Sequence, residues 1–360
     1  MASTTLFRVV LLVSFSVLLT AALGFGLPVF LNVAARCMGF AERSVTECIV
    51  FVYLVFVAYV AMPRVPRGVV EVKNKAVFIT GCDSGFGKAL AKNLHKLGFT
   101  VFAGCLLKEK DGEGAKELEE FRCERMNVLQ LDVCSEEQVT KAVEYVQASL
   151  ADKAKDLWAL VNNAGVSTFG EVEFTPMDTY KQVSEVNLWG TIRVTKAFLP
   201  LVRKAKGRVV NLTGVYGRTG CVLRSALCVS EHGVEAFSDC LRREMRPWGV
   251  KVSVVAPGSC AVATGNLARD AASGVANALW REAPAAVKRD YGKARFDQQM
   301  ALVRSGCTAG GDVGPVLDDA ADAVVSKKPY TRYNPMEPHW WIRMQLVTHL
   351  PAAVSDRLYF

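Results

Sequence analysis

The chain has 360 residues, a net charge of +8 and 51% hydrophobic residues. That length allows one large domain or two small ones. The basic residues form no stretch interleaved with aromatics, which excludes nucleic acid as the expected partner and fits attraction to an anionic membrane surface.

The hydrophobic excess is concentrated at the start. Residues 9–33 carry no charge and exceed the ~20 residues needed to span a bilayer. Residues 48–62 form a second apolar run, short for a span, which must thin the bilayer or extend into its flanks. The first run is too long for a signal-peptide core, and only Arg8 precedes it. The expectation is a retained membrane hairpin within residues 1–62. Arg64, Arg67 and Lys73, in a basic linker at 63–74, and Lys75 directly after it follow the second run and place the large domain on the cytosolic side.

From residue 75 the pattern alternates. "KAVFIT" (75–80) reads as a strand, "GCDSGFG" as a glycine loop and "KALAKNLHKLG" as a helix. Further strands are expected at 99–106, 126–133, 157–165, 208–214 and 250–258, with helices between them. Ser135 is the expected cap of the helix at 135–150, and one long helix is expected to end near residue 207. This alternation predicts an α/β fold with a Rossmann-like, doubly wound parallel sheet. From about 260 onward the pattern reads as helices of a substrate cap and a C-terminal segment. The end, "HWWIRMQLVTHLPAAVSDRLYF", reads equally as an interfacial membrane patch or as a segment packed on the core. The 11 cysteines include no CxxC and read as reduced thiols, not as a zinc site, and no metal is expected.

A strand running into Thr80-Gly81-Cys82-Asp83-Ser84-Gly85-Phe86-Gly87 and then a helix is a nucleotide site with a mechanism. Glycines let the backbone approach a pyrophosphate, and the helix N-terminus presents free N–H groups. Asp132, Asn163-Ala164-Gly165, Asn187 and Pro257-Gly258 follow in order. With these motifs the sequence resembles the short-chain dehydrogenase/reductase family over about residues 73–350. Segments such as "NNAGVSTFGEVEF" and "GVEAFSDCLR" are similar to its branches for 3-hydroxybutyrate, 17β-hydroxysteroids and retinol.

The resemblance implies a pyrophosphate on Thr80, Gly81, Ser84, Gly85, Phe86 and Gly87, adenine at Asp132, and a cofactor lying along Asn163, Ala164, Gly165, Pro257 and Gly258. It implies a catalytic water on Asn187 and an oligomer paired through the helices after the fourth and fifth strands. The steroid and retinoid branches imply the endoplasmic reticulum membrane, with the mitochondrial membrane as the alternative. A ribose-reading acid is expected at the end of the second strand for NAD, but "AGCLLKEK" offers none there and places Lys108 nearby. NAD(H) is favoured by the relatives alone and NADP(H) stays open.

Three side chains of the family's chemistry are absent. The Tyr position is Leu227, the Lys four residues later is Glu231, and the Ser thirteen residues earlier is Gly214. Leu moves no proton, and a carboxylate at 231 raises the pKa of a nearby phenol. Positioned proton transfer contributes about 10²–10⁴ in rate. Thr213, Tyr216 and His232 are the candidate substitutes. Tyr216 is the best of them, since His232 lies about 140° around the helix from position 227. A carboxylate at 231 also suits ribose contact, with a charge that favours oxidised nicotinamide.

The expected protein is therefore a membrane-anchored nucleotide binder with impaired catalysis and a small lipophilic or hydroxy-acid ligand. The alternatives are an active oxidoreductase using a relocated acid, and a non-catalytic subunit of a hetero-oligomer; a homo-oligomer is expected otherwise.

Overall fold

The protein is described by a computed structural model covering residues 67–152, 156–258, 269–307 and 313–359, the segment 26–39, and single positions 14, 18, 52 and 55. The chain divides into two units, Met1–Arg67 and Gly68–Phe360. The first unit contains helix α1 (Leu27–Cys37). Most of the apolar runs at 9–33 and 48–62 lies outside the described residues. No helix among the described residues is long and apolar enough to cross a membrane.

The second unit is built on a seven-stranded parallel sheet. Its strands are β1 (Lys75–Thr80), β2 (Thr100–Cys105), β3 (Met126–Gln130), β4 (Asp156–Asn162), β5 (Arg208–Leu212), β6 (Lys251–Val255) and β7 (Arg332–Tyr333). Their spatial order is β3-β2-β1-β4-β5-β6-β7. β1 and β2 are apolar on both faces, as a sheet covered on both sides requires. The chain reverses its direction of travel between β1 and β4, and a crevice at such a switch point is where α/β sheets bind ligands.

On one face lie α2 (Gly85–Lys96), α3 (Glu113–Glu119) and α11 (Gly314–Val325), which bury Leu90, Leu94, Leu118 and Val324 against the sheet. On the other lie α4 (Glu136–Asp152), α6 (Thr191–Lys204) and α7 (Ser225–Met245), which bury Val146, Phe198 and Leu241. Ser135 caps α4 as expected, its Oγ accepting the Gln138 N–H at 3.3 Å. A satellite core of Phe169, Phe174, Leu279, Phe296 and Met300 joins the loop after β4 to α8 (Arg269–Glu282) and α10 (Lys293–Cys307), with α9 (Ala285–Tyr291) between them. The chain ends in α12 (Pro338–His349) and α13 (Ala352–Tyr359).

The expected elements change in four places. Several strands stop earlier than their apolar runs: β3 ends at Gln130, leaving Asp132 in a loop, and β6 ends at Val255, leaving Pro257 and Gly258 beyond the sheet. The long helix after β4 is α5 (Met177–Ser184), a π-helical stretch Glu185–Gly190 and then α6, and the widened turn holds Asn187. π-turns of this kind are frequent at functional sites. β7 is only two residues long, too short to leave a periodic trace in the sequence. Residues 68–70, read as linker, close on the domain: Val70 N–H donates to Val325 O at 2.8 Å and Lys327 N–H to Gly68 O at 3.0 Å.

Candidate functional site

The site begins where β1 turns into α2. Gly81 and Gly85 hold φ of +69° and +55°, the left-handed region that favours glycine. A Cβ on Gly81 would stand 2.7 Å from Ala164 Cα; one on Gly87 would stand 2.3 Å from Gly81 O and 2.4 Å from Asn163 Nδ2. These glycines let the loop close on itself and on the end of β4. Thr80 Oγ1 accepts the Asn163 and Ala164 N–H groups at 3.0 and 2.9 Å. Asn163 Nδ2 donates to Thr80 O and Gly81 O at 2.9 and 3.0 Å. Ser84 is extended and makes no side-chain cap, so α2 begins with the open N–H groups that suit an anion. Phe86 enters that first turn by its backbone only, because its ring is buried in the core. A Gly87→Ala variant is expected to lose about 3 kcal/mol of stability, the upper end of ordinary overpacking, because the new methyl meets the Gly81 carbonyl and an Asn163 amide already held by two hydrogen bonds. Denaturant unfolding checks this; an unchanged midpoint would mean the loop adapts freely.

Two further features surround the loop. Asp132 Oδ1 accepts the Cys134 N–H at 2.9 Å, and its own N–H donates to Gln138 Oε1 at 2.7 Å, which holds the β3 exit in place. Asp83, one of the variable loop positions that sequence reading passed over, accepts the Leu106 and Leu107 N–H groups, each at 2.8 Å. The trace it left was indirect: an acid is missing at the end of β2 and present in the loop beside it.

The chemistry expected of the family falls at β5, α7 and the π-helical stretch. Asn187 is buried; its Oδ1 accepts the Val166 N–H at 2.8 Å, and its Nδ2 donates to Val166 O at 3.0 Å and Ser230 Oγ at 3.2 Å. The amide thus ties the β4 exit to α7. A Cβ on Gly165 would touch Asn187 Oδ1 at 3.4 Å, so these residues share one wall. Pro257 O accepts the Val215 N–H at 3.0 Å and Gly258 N–H donates to Pro335 O at 3.3 Å, which brings the β6 exit to the same edge.

Gly214 is extended and opens a tight turn at Val215–Gly217. The nearest atom to a Cβ built there is Tyr216 Cδ2, at 3.9 Å, so a side chain at 214 has room. Leu227 is buried on α7, and Glu231, one turn later, brings its carboxyl to the Gly214 N–H. Burial pushes that carboxyl up to about 8, against the Gly214 N–H, which lowers it; the nearby Glu235 charge adds to the rise. At neutral pH Glu231 is therefore mostly uncharged, which corrects the expectation that its charge favours oxidised nicotinamide.

Two of the three candidate substitutes point elsewhere. The Thr213 hydroxyl donates to Glu235 Oε1 at 3.3 Å, away from Gly214. His232 is exposed, with Nδ1 on Cys228 O at 2.8 Å. Tyr216 stays half-buried with its ring edge beside the open space at Gly214. Sequence reading also missed an ion cluster behind the turn, where Arg332 of β7 binds both Glu235 and Asp239. It required β7 to be placed beside α7, and no local motif announces that.

A profile of the short chain dehydrogenase family matches residues 75–272. The mitochondrial D-beta-hydroxybutyrate dehydrogenase of Bos taurus is 56% identical over 292 residues, covering 80% of this chain and 84% of the relative. The 17-beta-hydroxysteroid dehydrogenase type 6 of Bos taurus is 39% identical over 290 residues, covering 79% and 88%. Among solved structures, a short-chain dehydrogenase from Streptomyces avermitilis aligns with a TM-score of 0.62 at 24% identity, over 79% of this chain and 95% of that one. One from Burkholderia phymatum in complex with NAD aligns with a TM-score of 0.61 at 20% identity, over 77% and 94%. At these identities the structural likeness speaks for the fold alone.

Proposed function

This chain belongs to the short-chain dehydrogenase/reductase family of oxidoreductases, and from that premise we propose that it binds NAD(H) while its own alcohol–carbonyl chemistry is strongly reduced. The loop that Gly81 and Gly87 let close against the end of β4, leading into the uncapped first turn of α2, fits a dinucleotide. The open first turn of α2 would hold the pyrophosphate, Asp132 and the β2 exit the adenosine, and Asn163, Gly165 and Pro257 the remainder. The nicotinamide group, when bound, supplies hydride transfer.

The observation that carries the reduced chemistry is Leu227. It is buried at the position where the family moves a proton, and neither it nor Gly214 offers a hydroxyl. The lost proton transfer amounts to about 3–5 kcal/mol of barrier. A second reading has specific support: the most similar relatives reported above carry the names of dehydrogenases, and Tyr216 borders the space at Gly214. On that reading the protein oxidises a hydroxy acid, steroid or retinoid with Tyr216 as the acid.

Membrane attachment through 9–33 and 48–62 is part of the proposal, with the endoplasmic reticulum or a mitochondrial membrane as the host and the large unit cytosolic in the first case. Ile342, Leu346 and Val354 near the C-terminus are exposed and apolar, which suits an added contact with lipid. The faces of α6 and α7 are the proposed contacts of a homo-oligomer.

Calorimetric titration of the full chain with NAD, NADH, NADP and NADPH tests the binding reading. Micromolar binding of NAD(H) is the expected result, with oxidation of 3-hydroxybutyrate, estradiol and retinol at least about 100-fold below that of an active relative. No binding at millimolar nucleotide by folded protein would overturn it. Turnover abolished by Tyr216→Phe would select the second reading, and turnover only with a co-purifying homologue would make this chain a non-catalytic subunit.

A further inference from the structure

Dinucleotide-binding folds place an acid at the end of the second strand, where it accepts a hydrogen bond from the ribose 2′-hydroxyl of NAD; an Arg nearby accommodates the 2′-phosphate of NADP instead. In this chain β2 ends at Cys105 and the next residues are Leu106, Leu107 and Lys108. The strand itself therefore supplies neither an acid nor an arginine at that point.

A carboxylate nevertheless stands there. Asp83 reaches across from the glycine loop, and each of its oxygens takes one N–H from the β2 exit, Oδ2 from Leu106 and Oδ1 from Leu107, both at 2.8 Å. Two bonds from a rigid strand end fix the carboxylate plane. Each oxygen keeps a further lone pair for a hydroxyl donor. The backbone of Asp83 is clamped from behind, since a Cβ on Gly114 of α3 would stand 1.8 Å from Asp83 O. Leu106 and Leu107 are half-exposed beside it and offer apolar surface to a nucleoside.

Three lysines near this margin are engaged elsewhere. Lys108 donates to Val128 O at 2.6 Å and pairs with Glu119 at 3.5 Å. Lys88 and Lys92 both pair with Glu117. A 2′-phosphate, which carries between one and two negative charges at neutral pH, would meet the Asp83 carboxylate with none of these three lysines turned toward it.

We infer that Asp83 is the residue that selects NAD(H) over NADP(H) in this protein, acting from the glycine loop in place of the acid absent from the end of β2. The inference rests on the nucleotide-binding reading and names the cofactor for it.

The test measures the affinities of the full chain for NADH and NADPH, and for NAD and NADP, in the wild type, Asp83→Asn and Asp83→Ser. The expected wild-type preference for NAD(H) is roughly 100-fold, the size of an uncompensated like-charge contact. Both variants should lower that ratio at least about tenfold, with NADP(H) affinity rising in absolute terms. A residue that only braces the loop would weaken both nucleotides together, so an unchanged ratio would overturn the inference. Equal wild-type affinities would overturn it too, and would turn attention to Lys110, exposed on the turn after β2. A folded wild type that binds no nucleotide would fail the binding reading, and the inference with it, a result distinct from either of the others.

Discussion

Restoring Gly214→Ser, Leu227→Tyr and Glu231→Lys together is expected to raise NAD-dependent oxidation of a hydroxy acid, steroid or retinol by about 10²–10⁴-fold. The frame is ready for it. A Ser at 214 meets nothing closer than 3.9 Å from its Cβ. Positions 227 and 231 lie one turn apart on α7, a helix of 21 residues, so the new phenol and ammonium share a face. The ammonium then depresses the phenol pKa, which the present, mostly uncharged Glu231 does not do. Single reversions should do much less, because groups that act as one unit are strongly non-additive. Formation of NADH over a panel of hydroxy-acid, steroid and retinol substrates is the readout. A revertant that folds and binds nucleotide but stays inert on the whole panel would show that more than these three side chains has been lost.

The second large effect is on stability. Burial raises Glu231 to about 8, whereas the unfolded chain ionises it near the ordinary carboxylate value of about 4.5. Between those two values the folded state holds a proton that the unfolded state releases. Stability from this residue is therefore full below the lower value and falls as pH rises from it to the upper one, by up to about 5 kcal/mol. Glu231→Gln removes the ionisation, so the variant should match or trail the wild type at pH 5 and exceed it above pH 8. Denaturant unfolding at both ends of that window checks the sign. A difference between the two proteins that stays constant with pH would mean the carboxylate is solvated and always charged. The same protonation bears on function, since a mostly neutral Glu231 exerts little field on a nicotinamide ring at pH 7.

The fold was legible because its evidence is local. β-branched runs such as "KAVFIT" and "RVVNL" bury both faces of a strand, and each is readable from its own five or six residues. The glycine loop was legible for the same reason, since Gly81, Gly85 and Gly87 are required by backbone conformation and close approach within one short segment. Apolar run length proved a poor guide to strand ends: β3 and β6 stop when their neighbours stop pairing, not when the residues turn polar. The π-helical stretch around Asn187 left no trace, because one extra residue in a turn changes no composition.

By itself, the sequence determined the doubly wound α/β scaffold, the glycine loop between β1 and α2, and the identity of the residues at 214, 227 and 231. All of these depend on residue type at fixed spacing along one stretch of chain. Only the tertiary structure decided what those residues meet. It brought the Glu231 carboxyl to the Gly214 N–H, turned Thr213 toward Glu235, set Arg332 of β7 against α7, and carried Asp83 across to the end of β2. The reason is physical: hydrogen bonding and ionisation depend on distances and burial between segments far apart in the chain, and no local pattern of residues carries that information.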